Sequence, residues 1–161
     1  MYKTILVTLD STPTDRGIID HVKPLAQMMN SRVVLLHVAD GWAARTFGAD
    51  AVHPEVTADR KYLDTIRAEF ETAGTPAETV LAFGEPADEI VKWIRAKGCD
   101  LVAMSTHGHR FLADLILGTT ASRVQHRHAD RRPPNLRVTK FVTDSVSLSR
   151  LSLVLSRLSI A

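Results

Sequence analysis

Four small residues, Ser105, Gly108, Gly118 and Thr119, interrupt an apolar stretch of the chain in a pattern suited to holding a phosphate. The run Leu101-Val102-Ala103-Met104 ends in Ser105-Thr106-His107-Gly108, and nine residues separate Gly108 from Gly118-Thr119-Thr120. An apolar run ending in small residues brings backbone N–H groups to the tip of a buried strand. Their partial positive charge attracts an anion there. Thr119 and Thr120 add hydroxyl donors. A carboxylate, Asp10, follows a second apolar run, Ile5 to Leu9, and can accept hydrogen bonds from the hydroxyls of a ribose.

These residues need a frame, and the chain supplies one. Apolar runs rich in branched residues alternate with segments of helical period, the pattern of an α/β protein with an open parallel sheet wrapped by helices. Strands are predicted at 5–9, 32–38, 77–82 and 101–104, with a fifth, edge strand through Leu136, Val138, Lys140 and Val142. Helices are predicted at 14–30, 57–73 and 87–97, with further helical segments at 112–117 and 121–126. Pro24 should kink or weaken the first helix. Pro86 suits the start of the third, where a missing N–H is harmless. The long connection 40–56 holds Trp42 and Phe47, which could equally cover a ligand or cap the core. In such a sheet, ligands sit beyond the carboxyl ends of strands where the winding reverses; if the first and fourth strands are central neighbours, Asp10 faces the loop 105–108 there.

The bulk properties exclude several classes. A chain of 161 residues with 45% apolar and 24% charged residues fits one soluble domain, expected in the cytoplasm. A net charge of +2 lacks the footprint of a nucleic-acid binder. No apolar run approaches the ~20 residues that span a bilayer, so no membrane partner is expected. The single cysteine, Cys99, cannot form an internal disulfide and reads as a packed thiol.

The strand Ile5-Leu6-Val7-Thr8-Leu9-Asp10, the strand end Leu36-His37-Val38, the turn Gly84-Glu85-Pro86 and the Ser-Thr-His-Gly…Gly-Thr pattern together resemble the universal stress proteins over residues 2 to about 128. The nucleotide-binding branch of that family carries Gly, two residues, Gly, nine residues, then Gly followed by Ser or Thr. Ser105, Gly108, Gly118 and Thr119 keep this spacing, with serine in place of the first glycine. The resemblance implies a five-stranded Rossmann-like fold that binds ATP or another adenine nucleotide, AMP or cyclic AMP included, with magnesium accompanying ATP. It implies that Thr8, Leu9 and Asp10 lie beside adenine and ribose, and that Val38 addresses the base through its backbone. Ser105, Gly108, Gly118, Thr119 and Thr120 then form the phosphate cradle, and Met104, His109 and Arg110 beside them are counted as nucleotide-binding, Arg110 either reaching a terminal phosphate or lying solvated. It also implies a homodimer, joined through a short valine-rich last strand. Here the chain departs from the family: Arg131-Arg132-Pro133-Pro134 leads into a Ser/Leu/Arg tail, as a divergent end or a shifted reading frame would produce. The nucleotide-binding domain is expected over 1–143. The tail 144–161 is expected to be frayed or weakly helical, with Leu148, Leu151, Leu155 and Leu158 at three-four spacing.

Other chemistries fit less well. A phosphoacceptor role for Asp10 lacks an acidic cluster in the sequence beside it. His107, His109, His126 and His128 alternate without a cysteine or carboxylate that completes a metal-ligand spacing. No Gly-Lys-Ser/Thr follows a strand, which excludes a P-loop. No general base or arginine finger is recognisable, so the expectation is a binding protein with no catalytic residue and at most slow ATP hydrolysis. The competing expectation is a family member that has lost its nucleotide and works through an unidentified protein partner.

Overall fold

Strand β1 (Thr4–Leu9) is apolar on both faces, and its neighbours explain why. In the computed structural model, which describes residues 2–39, 54–105, 137–142 and 152–155, it lies in the middle of a sheet. Helix α1 (Asp15–Met29), β2 (Arg32–Ala39), α2 (Pro54–Thr72), β3 (Ala77–Phe83), α3 (Pro86–Lys97) and β4 (Leu101–Ser105) follow in order, then β5 (Arg137–Val142) and β6 (Ser152–Leu155). The sheet order is β3-β2-β1-β4-β5-β6. The first five strands are parallel and β6 is antiparallel to β5.

Alternation along the strands divides the core in two. Ile5, Val7 and Leu9 of β1 and Val33 and Leu35 of β2 pack against Ile18 and Val22 of α1 and Leu63, Ile66 and Phe70 of α2. Leu6 of β1 and Val34, Leu36 and Val38 of β2 face Ile90, Val91 and Ile94 of α3, joined by Met104 and Cys99. A strand covered on both faces must be apolar throughout, which is why the inner strands read as continuous runs rather than alternating ones. The result is the expected α/β architecture of a parallel sheet flanked by helices.

Helix ends follow local rules. α3 starts at Pro86, and Gly98 closes it in the left-handed region at φ 61°. There its N–H and that of Cys99 bond back to the carbonyls of Arg95 and Ile94. Asn30 does the same for α1 at φ 53°. Pro24 does not interrupt α1, which runs unbroken from Asp15 to Met29. α2 starts at Pro54, three residues before the position expected from periodicity, because proline is tolerated in a first turn.

Two differences from the sequence expectation concern the C-terminal side. β5 is present but is not the edge of the sheet, since β6 pairs outside it with Thr139 opposite Leu155 and Val142 opposite Ser152. Ser152–Leu155 is therefore a strand and not a turn of helix. Serine and valine are indifferent helix formers, and the unpaired edge of β5 offers backbone partners that an isolated helix would lack.

Candidate functional site

The order β3-β2-β1-β4-β5 means that the chain winds one way from β1 to β3 and the other way from β4 onward. The reversal falls between β1 and β4, the position beyond whose strand ends open α/β sheets bind their ligands. Thr8 stands beside Met104 across this junction and beside Leu36 on the other side. Leu9 is buried at the end of β1 and Asp10 follows it half-buried. Val38 is buried near the end of β2, opposite Ala82, and Met104 is buried near the end of β4. Ser105 closes β4 opposite Phe141. Thr8, Leu9, Asp10, Val38, Met104 and Ser105 thus sit at the carboxyl ends of three adjacent strands. Gly108, His109, Arg110, Gly118, Thr119 and Thr120 lie outside the described residues, as do Trp42, Phe47 and His107.

The loop from β1 to α1 is held by side chains. Oδ1 of Asp10 accepts the Thr12 N–H at 3.1 Å and the Thr12 hydroxyl at 2.6 Å, which turns the chain toward the helix. Ser11 adopts φ 60°, a left-handed conformation that costs a side-chain-bearing residue ~1–2 kcal/mol. Its polar groups show what offsets that strain. Ser11 N–H donates to Asp15 Oδ2 at 3.0 Å, and its hydroxyl donates to Asp59 Oδ1 of α2 at 3.1 Å.

Asp15 is the centre of this arrangement and was not among the residues expected from sequence. Its carboxylate, 1% exposed, also accepts the Asp10 N–H and the Tyr62 hydroxyl of α2, the latter at 2.8 Å. Burial pushes Asp15 up to about 7, and the neighbouring Asp10 carboxylate adds to the rise. The Tyr62 hydroxyl pulls the other way. Tyr62 itself is raised, mainly by burial and then by the negative charge of Asp15.

His37, at the end of β2, extends the network. Its Nδ1–H donates to the Leu9 carbonyl at 2.9 Å, and Nε2 faces Asp59 Oδ2 at 3.3 Å, an ion pair when the ring is protonated. Asp15, His37, Asp59 and Tyr62 therefore tie the end of β1 to the end of β2 and to α2. In the sequence each is an ordinary polar residue on a helix or strand. The one available signal was a second aspartate five positions after Asp10, across the turn Thr12-Pro13-Thr14.

Burial pushes the Cys99 thiol up to about 12, which leaves it an inert packed side chain. Glu69 of α2 takes both Arg16 and Lys23 of α1, and the Arg16 guanidinium holds its carboxyl down at about 2. Among the described residues no helix is long and apolar enough to cross a membrane.

Comparison with known proteins agrees with this geometry. A model of the universal stress protein family matches residues 1–129. A universal stress protein of Methanocaldococcus jannaschii is 28% identical over 143 residues, covering 77% of this chain and 88% of its own. Its solved structure superposes with a TM-score of 0.70 at 26% identity, over 89% of this chain and 98% of that one. A universal stress protein from Archaeoglobus fulgidus, solved in complex with dAMP, superposes with a TM-score of 0.56 over 78% of this chain and 91% of its own. Another, solved in complex with cyclic AMP, gives 0.60 over 88% and 96%. Both are 17% identical, which shows a common fold. With that family model matching residues 1–129 of its 161, the chain belongs to the universal stress protein family.

Proposed function

We propose that this protein is an adenine-nucleotide-binding regulatory module of a stress response, whose liganded state changes the surface it offers to a protein partner. One observation carries the reading: the sheet reverses direction between β1 and β4, with Asp10 directly after β1 and Ser105 at the end of β4. The nucleotide lies across that junction. Thr8, Leu9 and Asp10 flank adenine and ribose, and Val38 meets the base. Ser105, Gly108, Gly118, Thr119 and Thr120 cradle the phosphates, with His109 and Arg110 at their margin. The complexes of two fold relatives with cyclic AMP and dAMP support an adenine nucleotide. ATP is favoured because the Gly118-Thr119-Thr120 donors extend the cradle beyond a first phosphate. Magnesium would arrive with ATP. The protein works in the cytoplasm.

The test starts from the protein as purified. It is denatured, and any released small molecule is identified by chromatography and mass, followed by titration of the emptied protein with ATP, ADP, AMP and cyclic AMP. Stoichiometric adenine nucleotide, or micromolar binding of one of the four, is the expected result. A protein that is empty and binds none of them overturns the reading in favour of purely protein-mediated action. The replacement of a cradle glycine by Ser105 would then be the first suspect. Gly118→Val should abolish binding while leaving the helical circular-dichroism signal in place, and unchanged affinity would remove the phosphate-cradle assignment.

A further inference from the structure

Asp10 and Val38 lie at the ends of two neighbouring strands, and one pair of side chains links those ends. Leu9 and His37 are the last residues paired between β1 and β2. The His37 ring is buried and turns back to the Leu9 carbonyl, which it meets through Nδ1 at 2.9 Å. A carbonyl oxygen only accepts, so Nδ1 carries the hydrogen. Nε2 faces Asp59 Oδ2 of α2 at 3.3 Å, and Asp59 Oδ1 accepts the Ser11 hydroxyl at 3.1 Å. These contacts close a ring that runs along the backbone from Leu9 through Asp10 to Ser11 and returns through Asp59 and His37. Asp10 is the enclosed residue, held through its neighbours on both sides. Its own Oδ1 is turned to Thr12.

We infer that His37 and Asp59 are a positioning pair that fixes the Asp10 carboxylate against the sugar hydroxyls of the nucleotide, and so makes the site selective for a ribonucleotide. The inference rests on the adenine-nucleotide reading and deepens it. That reading puts Val38 at the base and Asp10 at the ribose, and His37 directly precedes Val38 on β2. The pair therefore sets one contact relative to the other without touching the ligand. A site built to bond a hydroxyl rejects the analogue that lacks it, because its polar group is then left unpaired. Such rejection lasts only while the carboxylate stays within hydrogen-bonding reach, and a displacement of about 1 Å removes it. The phosphates are assigned to the end of β4, beyond Ser105, so the influence of the pair falls on the sugar.

Titration of the full chain with ATP and with dideoxy-ATP, which lacks both ribose hydroxyls, tests this. Wild type should prefer ATP by about tenfold or more, the worth of one hydrogen bond to a charged group. His37→Phe keeps a ring without N–H groups, and Asp59→Ala removes the link to Ser11. Each should abolish the preference while leaving the affinity for dideoxy-ATP near the wild-type value. Asp59→Asn keeps an oxygen for Ser11 and offers an N–H to Nε2, and should retain most of the preference. The double variant should be no worse than either single one, since both break the same ring. A wild type without the preference, or single variants that keep it, overturns the inference and leaves the nucleotide reading standing. An equal loss of affinity for both compounds also overturns it, because a pair that only holds the fold together would weaken both alike. Ser11→Ala, at an exposed position, gives a further arm should His37→Phe not fold, and an undiminished preference there overturns the inference. No binding of either compound by wild type overturns the nucleotide reading, and this inference with it.

Discussion

Asp15 shows how one buried side chain can set a pH dependence of stability without any ligand. Its folded-state value of about 7 lies above the ~4 of an unfolded aspartate, so the native state holds the proton more tightly. The stability this confers is complete below about pH 4 and is lost as pH rises through 7. Thermal melts of the unliganded protein should therefore show the melting temperature falling between pH 5 and 8.5, with a visibly flatter profile for Asp15→Asn. Tyr62 of α2, which donates its hydroxyl to Asp15, contributes through a hydrogen bond instead. Tyr62→Phe leaves the ring packed and removes one hydrogen bond to a buried carboxyl, which should cost about 1–2 kcal/mol in chemical denaturation. Neither effect was legible in the sequence, because nothing in the one-dimensional pattern says that Tyr62 reaches back across to the first residue of α1. Asp10, by contrast, was legible as a strand-end carboxylate. Its bonds to Thr12 add that it also builds the turn on which it sits.

Helices and strands were the most readable level, for a physical reason. The inner strands are covered on both faces, so β1, β2 and β4 had to be unbroken apolar runs, and no other segment could supply them. The tail was not readable, because a strand of four residues is too short to show a period of two and its pairing partner, β5, is invisible in local sequence. Helix ends give a clean prediction. A Cβ at Gly98 meets nothing within 4 Å, so Gly98→Ala carries only the conformational cost of φ 61° and should destabilise by about 1 kcal/mol. Asn30→Gly, at a similar φ, should be neutral or slightly stabilising by denaturant midpoint. The joint between α1 and α2 through Glu69 is partly exposed, and Glu69→Gln should cost less than about 1 kcal/mol. Because the Glu69 carboxyl is held low, that contribution is present above about pH 4.5 and is lost as pH falls toward 2.

At the scale of the molecule, Phe70 is the largest fully buried side chain among the described residues and packs α2 against the sheet. Phe70→Ala should cost about 3–5 kcal/mol and remove the cooperative unfolding transition in mild denaturant. The central place of β1 has a consequence for synthesis. Its partner on one side, β2, leaves the ribosome soon after it, but its partner on the other side, β4, begins at Leu101. A nascent chain elongating at ~5–20 residues per second holds one edge of β1 open for roughly 5–20 seconds, until β4 emerges. During that interval an apolar strand with bare N–H and C=O groups is available to any neighbour. Chains stalled near residue 95 should therefore be captured by chaperones, and chains stalled well beyond β4 should be released. The strand that joins the two halves of the sheet is also the one that ends the protein's exposure to aggregation while it is being made.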